Sequence, residues 1–140
     1  MSYSSLYYHF IWGTKHRLPL ITDVNREPVY AAIRATVTAM GSTTHALNGL
    51  SDHVHLVASV PPTIALADFI GQVKGSSSHL AAHLTADPFA WQSEYGVLTI
   101  SESHLPTVVN YVVAQQQRHA ANRLNQRLER IGDRMAEGAR

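Results

Sequence analysis

Two residue pairs in this sequence have the types and spacing to do chemistry together. His53-Val54-His55 sets two imidazoles two positions apart. On an extended strand such residues project from the same face, and Val54 turns to the other. Two neutral imidazoles held that way can grip one divalent metal ion. Tyr111 and Gln115 are four residues apart, which on a helix puts them on one face about a turn apart. A phenol there can attack phosphorus, and an amide oxygen can complete a metal's coordination. Each pair also has an ordinary reading. His-x-His arises by chance in a histidine-rich chain. A helix commonly buries a tyrosine and leaves a nearby glutamine solvated. The other tyrosines compete poorly for the nucleophile's role. Tyr3, Tyr7 and Tyr8 lie on or before an aromatic strand, Tyr30 has Arg34 rather than an amide one turn on, and Tyr95 adjoins Gly96 at a strand start.

The elements that must position these groups follow from the periodicity. Ser4–Thr14 is aromatic and β-branched with a nearly continuous apolar run, which reads as a central strand. Lys15–Thr22 contains Pro19 and reads as a loop. Asp23 is placed to cap a helix running to Met40, with Val29, Ile33 and Val37 on its apolar face and Gly41 closing it. Thr43–Leu50 reads as a strand, Ser51 and Asp52 as a turn, and His53–Val60 as an alternating strand ended by Pro61 and Pro62. Leu66–Leu84 reads as a helix facing inward through Leu66, Phe69, Ile70 and Val73. Tyr95–Ile100 is a fourth strand. Ser101 or Ser103 then caps a helix with Pro106 in its first turn, running through Tyr111 and past Arg127. The order is βαββαβ plus a C-terminal helix. The expected fold is therefore α+β and ferredoxin-like, an antiparallel sheet with helices on one face and a last helix carrying the tyrosine.

At 140 residues the chain is sized for one domain over 1–140, with a frayed tail expected over about 133–140. The absence of cysteine excludes disulfides, zinc–thiolate sites and cysteine nucleophiles. No apolar run reaches membrane-spanning length, and Met1–Tyr8 lacks a basic leader segment, so a soluble intracellular protein is expected. A formal net charge of +1 says little about nucleic acid. The distribution says more, with Lys15, His16 and Arg17 clustered and Arg118, Arg123, Arg127, Arg130 and Arg134 loading the last helix. Lys15, Arg17, Lys74 and Arg118 are the candidate phosphate contacts. Trp12 and Trp91 could stack on bases, although core packing is the preferred reading of both.

Taken in order, these pieces resemble the single-tyrosine transposases of the bacterial and archaeal IS200/IS605 insertion sequences, part of the His-hydrophobe-His endonucleases. The resemblance covers most of the chain. It runs from YYHFIWGTKHRLPLI through NGLSDHVHLVASVPP, where Asn48, Asp52, His53 and His55 fall in the family pattern. It continues through KGSSS at Lys74–Ser78 and FAWQSEYGVLTIS to YVVAQQQRH at Tyr111–His119. It implies that His53, His55 and Gln115 bind the metal and that Tyr111 is the nucleophile. Gln116 and Gln117 adjoin the third ligand and compete for its place. It further implies magnesium or manganese as cofactor, single-stranded DNA with hairpins at the element ends as substrate, a 5′-phosphotyrosine intermediate and a homodimer. In such a dimer the tyrosine helix can serve the partner's metal site. Action in a prokaryotic cytoplasm at the nucleoid is expected.

A phosphodiester is anionic and repels nucleophiles, so a divalent metal suits this chemistry by polarising the phosphate and holding it in line. A tyrosine of ordinary pKa near 10 is mostly protonated at neutral pH and needs a base or a positive field. The sequence does not single out that base. Imidazole donors suit manganese better than magnesium on general grounds. Two other readings stay open: a non-catalytic or domesticated hairpin-binding protein, and a metallohydrolase using water as nucleophile, with Asp52 or His45 as base or third ligand.

Overall fold

The computed structural model describes residues 2–84 and 88–115. Strand β1 (Tyr7–Gly13) leads through a short 3-10 turn (Lys15–Arg17) to helix α1 (Arg26–Ala39). Strands β2 (Thr43–Gly49) and β3 (His53–Ser59) form a hairpin, followed by α2 (Leu66–Leu84), β4 (Gly96–Ile100), a second 3-10 turn (Glu102–His104) and α3 (Leu105–Val113). The sheet order is β2-β3-β1-β4, with all three neighbouring pairs antiparallel. This is the expected α+β, ferredoxin-like arrangement.

Strand alternation divides the core in two. Phe10, Trp12, Val54, Leu56 and Ala58 point to one face and meet Val29, Tyr30, Ile33 and Val37 of α1 and Phe69, Ile70, Val73 and Ala81 of α2. Those helix residues recur at the three- and four-residue spacing that makes one apolar stripe. The opposite face carries Val57, Ala46 and Ile100, and α3 lies on it through Val108, Tyr111 and Val112. His9, His53 and His55, in phase with Val57 along β1 and β3, therefore belong to the α3 face. Among the described residues no helix is long and apolar enough to cross a membrane.

The structure moves several expected boundaries. β1 begins at Tyr7, not Ser4, and Tyr95 lies outside β4. The residue flanking α1 is Asn25, not Asp23. Asn25 has both a donor and an acceptor: its Oδ1 accepts the Thr22 N–H at 2.8 Å and its Nδ2 donates to the Leu20 carbonyl at 2.9 Å. Asp23, which can only accept, instead pairs with Arg26 at 2.9 Å. Gly41 follows α1 at a φ of 74°, as its capping role requires. Neither Ser101 nor Ser103 caps α3 through its side chain; His104 flanks the helix, and its N–H donates to the Ser101 carbonyl at 3.0 Å. Pro106 does sit in the first turn.

The last helix departs most. α3 stops at Val113, and Ala114, with φ −90° and ψ 17°, interrupts it before Gln115. At this point Asn48 Nδ2 of β2 donates to the Val113 carbonyl at 3.0 Å, joining the helix end to the sheet. The continuation past Arg127, Arg118 and the tail at 133–140 lie outside the described residues.

The β2–β3 turn is tight enough to demand glycine at its entry. A Cβ on Gly49 would overlap the backbone carbonyl of His53, which also accepts the Leu50 N–H at 3.0 Å. Gly49→Ala should therefore lose about 1–3 kcal/mol of stability, the usual cost of forcing atoms into a packed site. Denaturant unfolding measures this, and a wild-type midpoint would contradict the assignment.

Candidate active site

The site is built on the two central strands. β1 and β3 pair so that Gly13 lies opposite His53 and Ile11 opposite His55. The His53 and His55 rings stand edge to face, 5.2 Å between centroids, and are 1% and 0% exposed. Burying two imidazoles this fully is tolerable only if their nitrogens are matched.

Asp52 matches the first. Its Oδ1 lies 2.8 Å from His53 Nδ1. A carboxylate can only accept, so His53 carries its proton on Nδ1 and keeps a lone pair on Nε2. The hydrogen bond from His53 holds the Asp52 carboxyl below its ordinary value. Partial burial opposes this, and the nearby Arg17 guanidinium reinforces it. Arg17 reaches the other oxygen, Oδ2, at 3.4 Å. Its backbone is unusual: His16 and Arg17 both adopt left-handed φ, 57° and 56°, at a cost of roughly 1–2 kcal/mol each for residues with a Cβ. Gly13 leaves room for the arrangement, since a Cβ there would lie 2.9 Å from Arg17 Cδ and 3.2 Å from Gln92 Oε1.

The other half comes from the end of α3. Tyr111, 3% exposed, sets its ring 6.0 Å from that of His55 at 71°. Gln115, fully buried, has its amide nitrogen 3.5 Å from His53 Nε2, a long contact. An amide turned end for end would offer its oxygen to the same region. The solvated reading of Gln115 is thus overturned: it lies fully buried beside His53, one turn beyond the equally inward-facing Tyr111. A single chain brings His53, His55, Tyr111 and Gln115 together.

Among the described residues no cluster of three or more His, Cys, Asp or Glu could hold a metal ion. A metal here would depend on the Nε2 atoms of His53 and His55 plus the Gln115 amide. That mixed nitrogen and oxygen set fits manganese comfortably and magnesium less so. An oriented carboxylate behind a ligand histidine typically contributes 10–100-fold in metal affinity. Asp52→Asn should accordingly weaken Mn2+ binding about tenfold or more by calorimetric titration; unchanged affinity would remove Asp52 from the site.

The expected phosphate contacts separate. Lys15 is exposed on the loop after β1. Arg17 is engaged with Asp52, behind His53. Lys74 donates to the carbonyls of Gln92 at 2.6 Å and Glu94 at 3.3 Å, and burial pushes its pKa down, so it ties α2 to the segment before β4. Trp12 is wholly buried, and Trp91 packs edge-on against it at 5.7 Å while donating to Ser77 Oγ at 2.9 Å. Both tryptophans are core.

One site residue escaped the sequence reading. His9, 1% exposed on β1, places Nε2 2.8 Å from His55 Nδ1. Its signal was phase: it alternates with Phe10 and Trp12 and so faces away from the main core.

Known proteins resemble this chain at several levels. The family described as "Transposase IS200 like" matches residues 2–115. The ISDra2 transposase TnpA of Deinococcus radiodurans is 27% identical over 118 residues, spanning 79% of this chain and 84% of its own. The crystal structure of a candidate transposase from Deinococcus radiodurans R1 superposes with a TM-score of 0.63 at 27% identity, covering 88% of this chain and 95% of that one. A REP-associated tyrosine transposase bound to a REP hairpin shares the fold, with a TM-score of 0.64 at 18% identity over 85% of this chain and 74% of its own.

Proposed function

Because the chain belongs to the IS200-like family of Y1 transposases, we propose that it cleaves and rejoins single-stranded DNA at the ends of its own element through a 5′-phosphotyrosine on Tyr111. One observation carries this reading: a single buried face sets the Tyr111 ring beside His55 and the Gln115 amide beside His53. A tyrosine placed only for packing would not need a buried amide and two oriented imidazoles around it.

In the proposed step the Tyr111 oxygen bonds to phosphorus, the phenol gives up its proton, and the bond from phosphorus to the 3′ oxygen breaks. That oxygen takes up a proton and leaves as a 3′-hydroxyl. Running the step backwards with another 3′-hydroxyl rejoins DNA without a nucleotide cofactor, because the phosphotyrosine keeps the energy of the broken bond. His53, His55 and Gln115 would hold magnesium or manganese. When bound, such an ion supplies polarisation of the phosphate and neutralisation of charge in the transition state. The chain's own contribution is orientation. Asp52 fixes the His53 ring, Asn48 fixes the end of α3, and the packing of Val108 and Val112 fixes the phenol.

One nucleophile per chain and two strand exchanges per transposition argue for a homodimer. The REP hairpin bound by the fold relative supports hairpin DNA from the element ends as the proposed substrate. The setting proposed is the prokaryotic cytoplasm, at the nucleoid. Asp52 is already engaged by His53 and Arg17, which disfavours it as the base of a water-using hydrolase.

The test is a denaturing gel of end-labelled single-stranded hairpin DNA incubated with the protein and Mn2+. A slower band that survives denaturation and disappears on proteolysis supports the reading. Cleaved DNA without such a band would replace it with hydrolysis.

A further inference from the structure

Of the buried histidines among the described residues, the one that the proposed chemistry does not use directly is His9. It is as buried as the two putting their Nε2 atoms forward, and it stands on a different strand from them. Its Nε2 approaches His55 Nδ1 to 2.8 Å, with the ring planes only 22° apart and centroids 5.0 Å apart. At that separation the rings share one proton. Two protons between the nitrogens would collide, and none would leave two lone pairs facing each other. With both rings neutral, that shared proton locks them in complementary tautomers.

Which ring donates decides what His55 can do. If His9 donated, His55 would carry its own proton on Nε2 and have no lone pair there. If His55 donates from Nδ1, its Nε2 carries the lone pair, as in His53, where Asp52 favours the same state. A histidine without a partner at Nδ1 favours the Nε2–H tautomer, so His55 needs an acceptor behind it just as His53 does. His53 has a carboxylate for this; His55 has His9.

We propose that His9 is a positioning residue that accepts the Nδ1 proton of His55 and so holds the His55 Nε2 lone pair toward the metal. The choice of His55 as the donor rests on the reading given under the proposed function, whereas the single proton shared by the two rings follows from their separation.

The experiment is long-range 1H–15N NMR of the imidazoles in the full chain without added metal, followed by a Mn2+ titration. His55 should show a protonated Nδ1 and a bare Nε2, and His9 a bare Nε2. In His9→Leu the His55 signals should move toward the Nε2–H pattern, and Mn2+ affinity should fall about 10–100-fold. His9→Gln, whose amide oxygen can still accept, should recover most of that affinity. An Nε2–H His55 in the wild type overturns the proposal. So does a His9→Leu variant with wild-type tautomer and affinity. If His9→Leu does not fold, the wild-type tautomers and the His9→Gln affinity still decide it. A wild type with the expected tautomers that binds no Mn2+ overturns the metal reading and leaves the tautomer lock standing.

Discussion

Tyr111→Phe should form no covalent adduct with hairpin DNA while keeping the fold and DNA binding. The expected loss of cleavage is about 10^4-fold or more, the scale on which removal of a covalent nucleophile acts. The change is mild structurally. Tyr111 is 3% exposed and packs with Val112, Val108 and Val57; phenylalanine keeps the ring and loses one hydroxyl, worth roughly 1 kcal/mol if it is hydrogen-bonded. Native-gel shifts of the variant should match those of the wild type, and its melting should stay close. An adduct from Tyr111→Phe would move the nucleophile elsewhere. Tyr7 is then the first alternative, since it lies on the α3 side against His45 at 5.4 Å.

His53→Ala and His55→Ala should each remove one of two imidazole donors and lower Mn2+ affinity by about 100-fold or more, the upper end of what even an outer-shell change costs. Cleavage should fail with it. The two variants should differ in stability. Deleting His53 leaves Asp52 near solvent and still paired with Arg17. Deleting His55 leaves His9 facing a gap between strands, with an expected cost of roughly 2–3 kcal/mol from the cavity and the lost hydrogen bond. Calorimetric titration and denaturant unfolding read the two effects separately. Wild-type Mn2+ affinity in either variant would exclude that imidazole as a ligand.

Much of this molecule is legible in its sequence. β3 is legible because His53–Val60 carries period-2 alternation ended by Pro61 and Pro62, and that period puts both imidazoles on one face. α1 and α2 were legible from stripes such as Val29, Ile33 and Val37. What stayed hidden depends on contacts distant in sequence. The end of α3 at Val113 is held to β2 by Asn48, 65 residues earlier; Ala114 itself is an excellent helix former. The partner of His55 is 46 residues away, in an aromatic run where a histidine draws no notice. Arg17, expected as a phosphate contact, also pairs with Asp52. Its use behind Asp52 requires the left-handed turn at His16 and Arg17, a conformation local propensity disfavours. Lys74 was drawn inward for a similar reason, by two backbone carbonyls near β4.

The measurement that bears most directly on the central claim is the chemical identity of the protein–DNA link. The adduct formed with Mn2+ and hairpin DNA is digested with protease and nuclease, and the modified peptide is sequenced by tandem mass spectrometry. A nucleotide joined through its 5′-phosphate to Tyr111 is the expected result. A nucleotide on any other residue, or free 5′-phosphorylated DNA with an unmodified Tyr111 peptide, would contradict it.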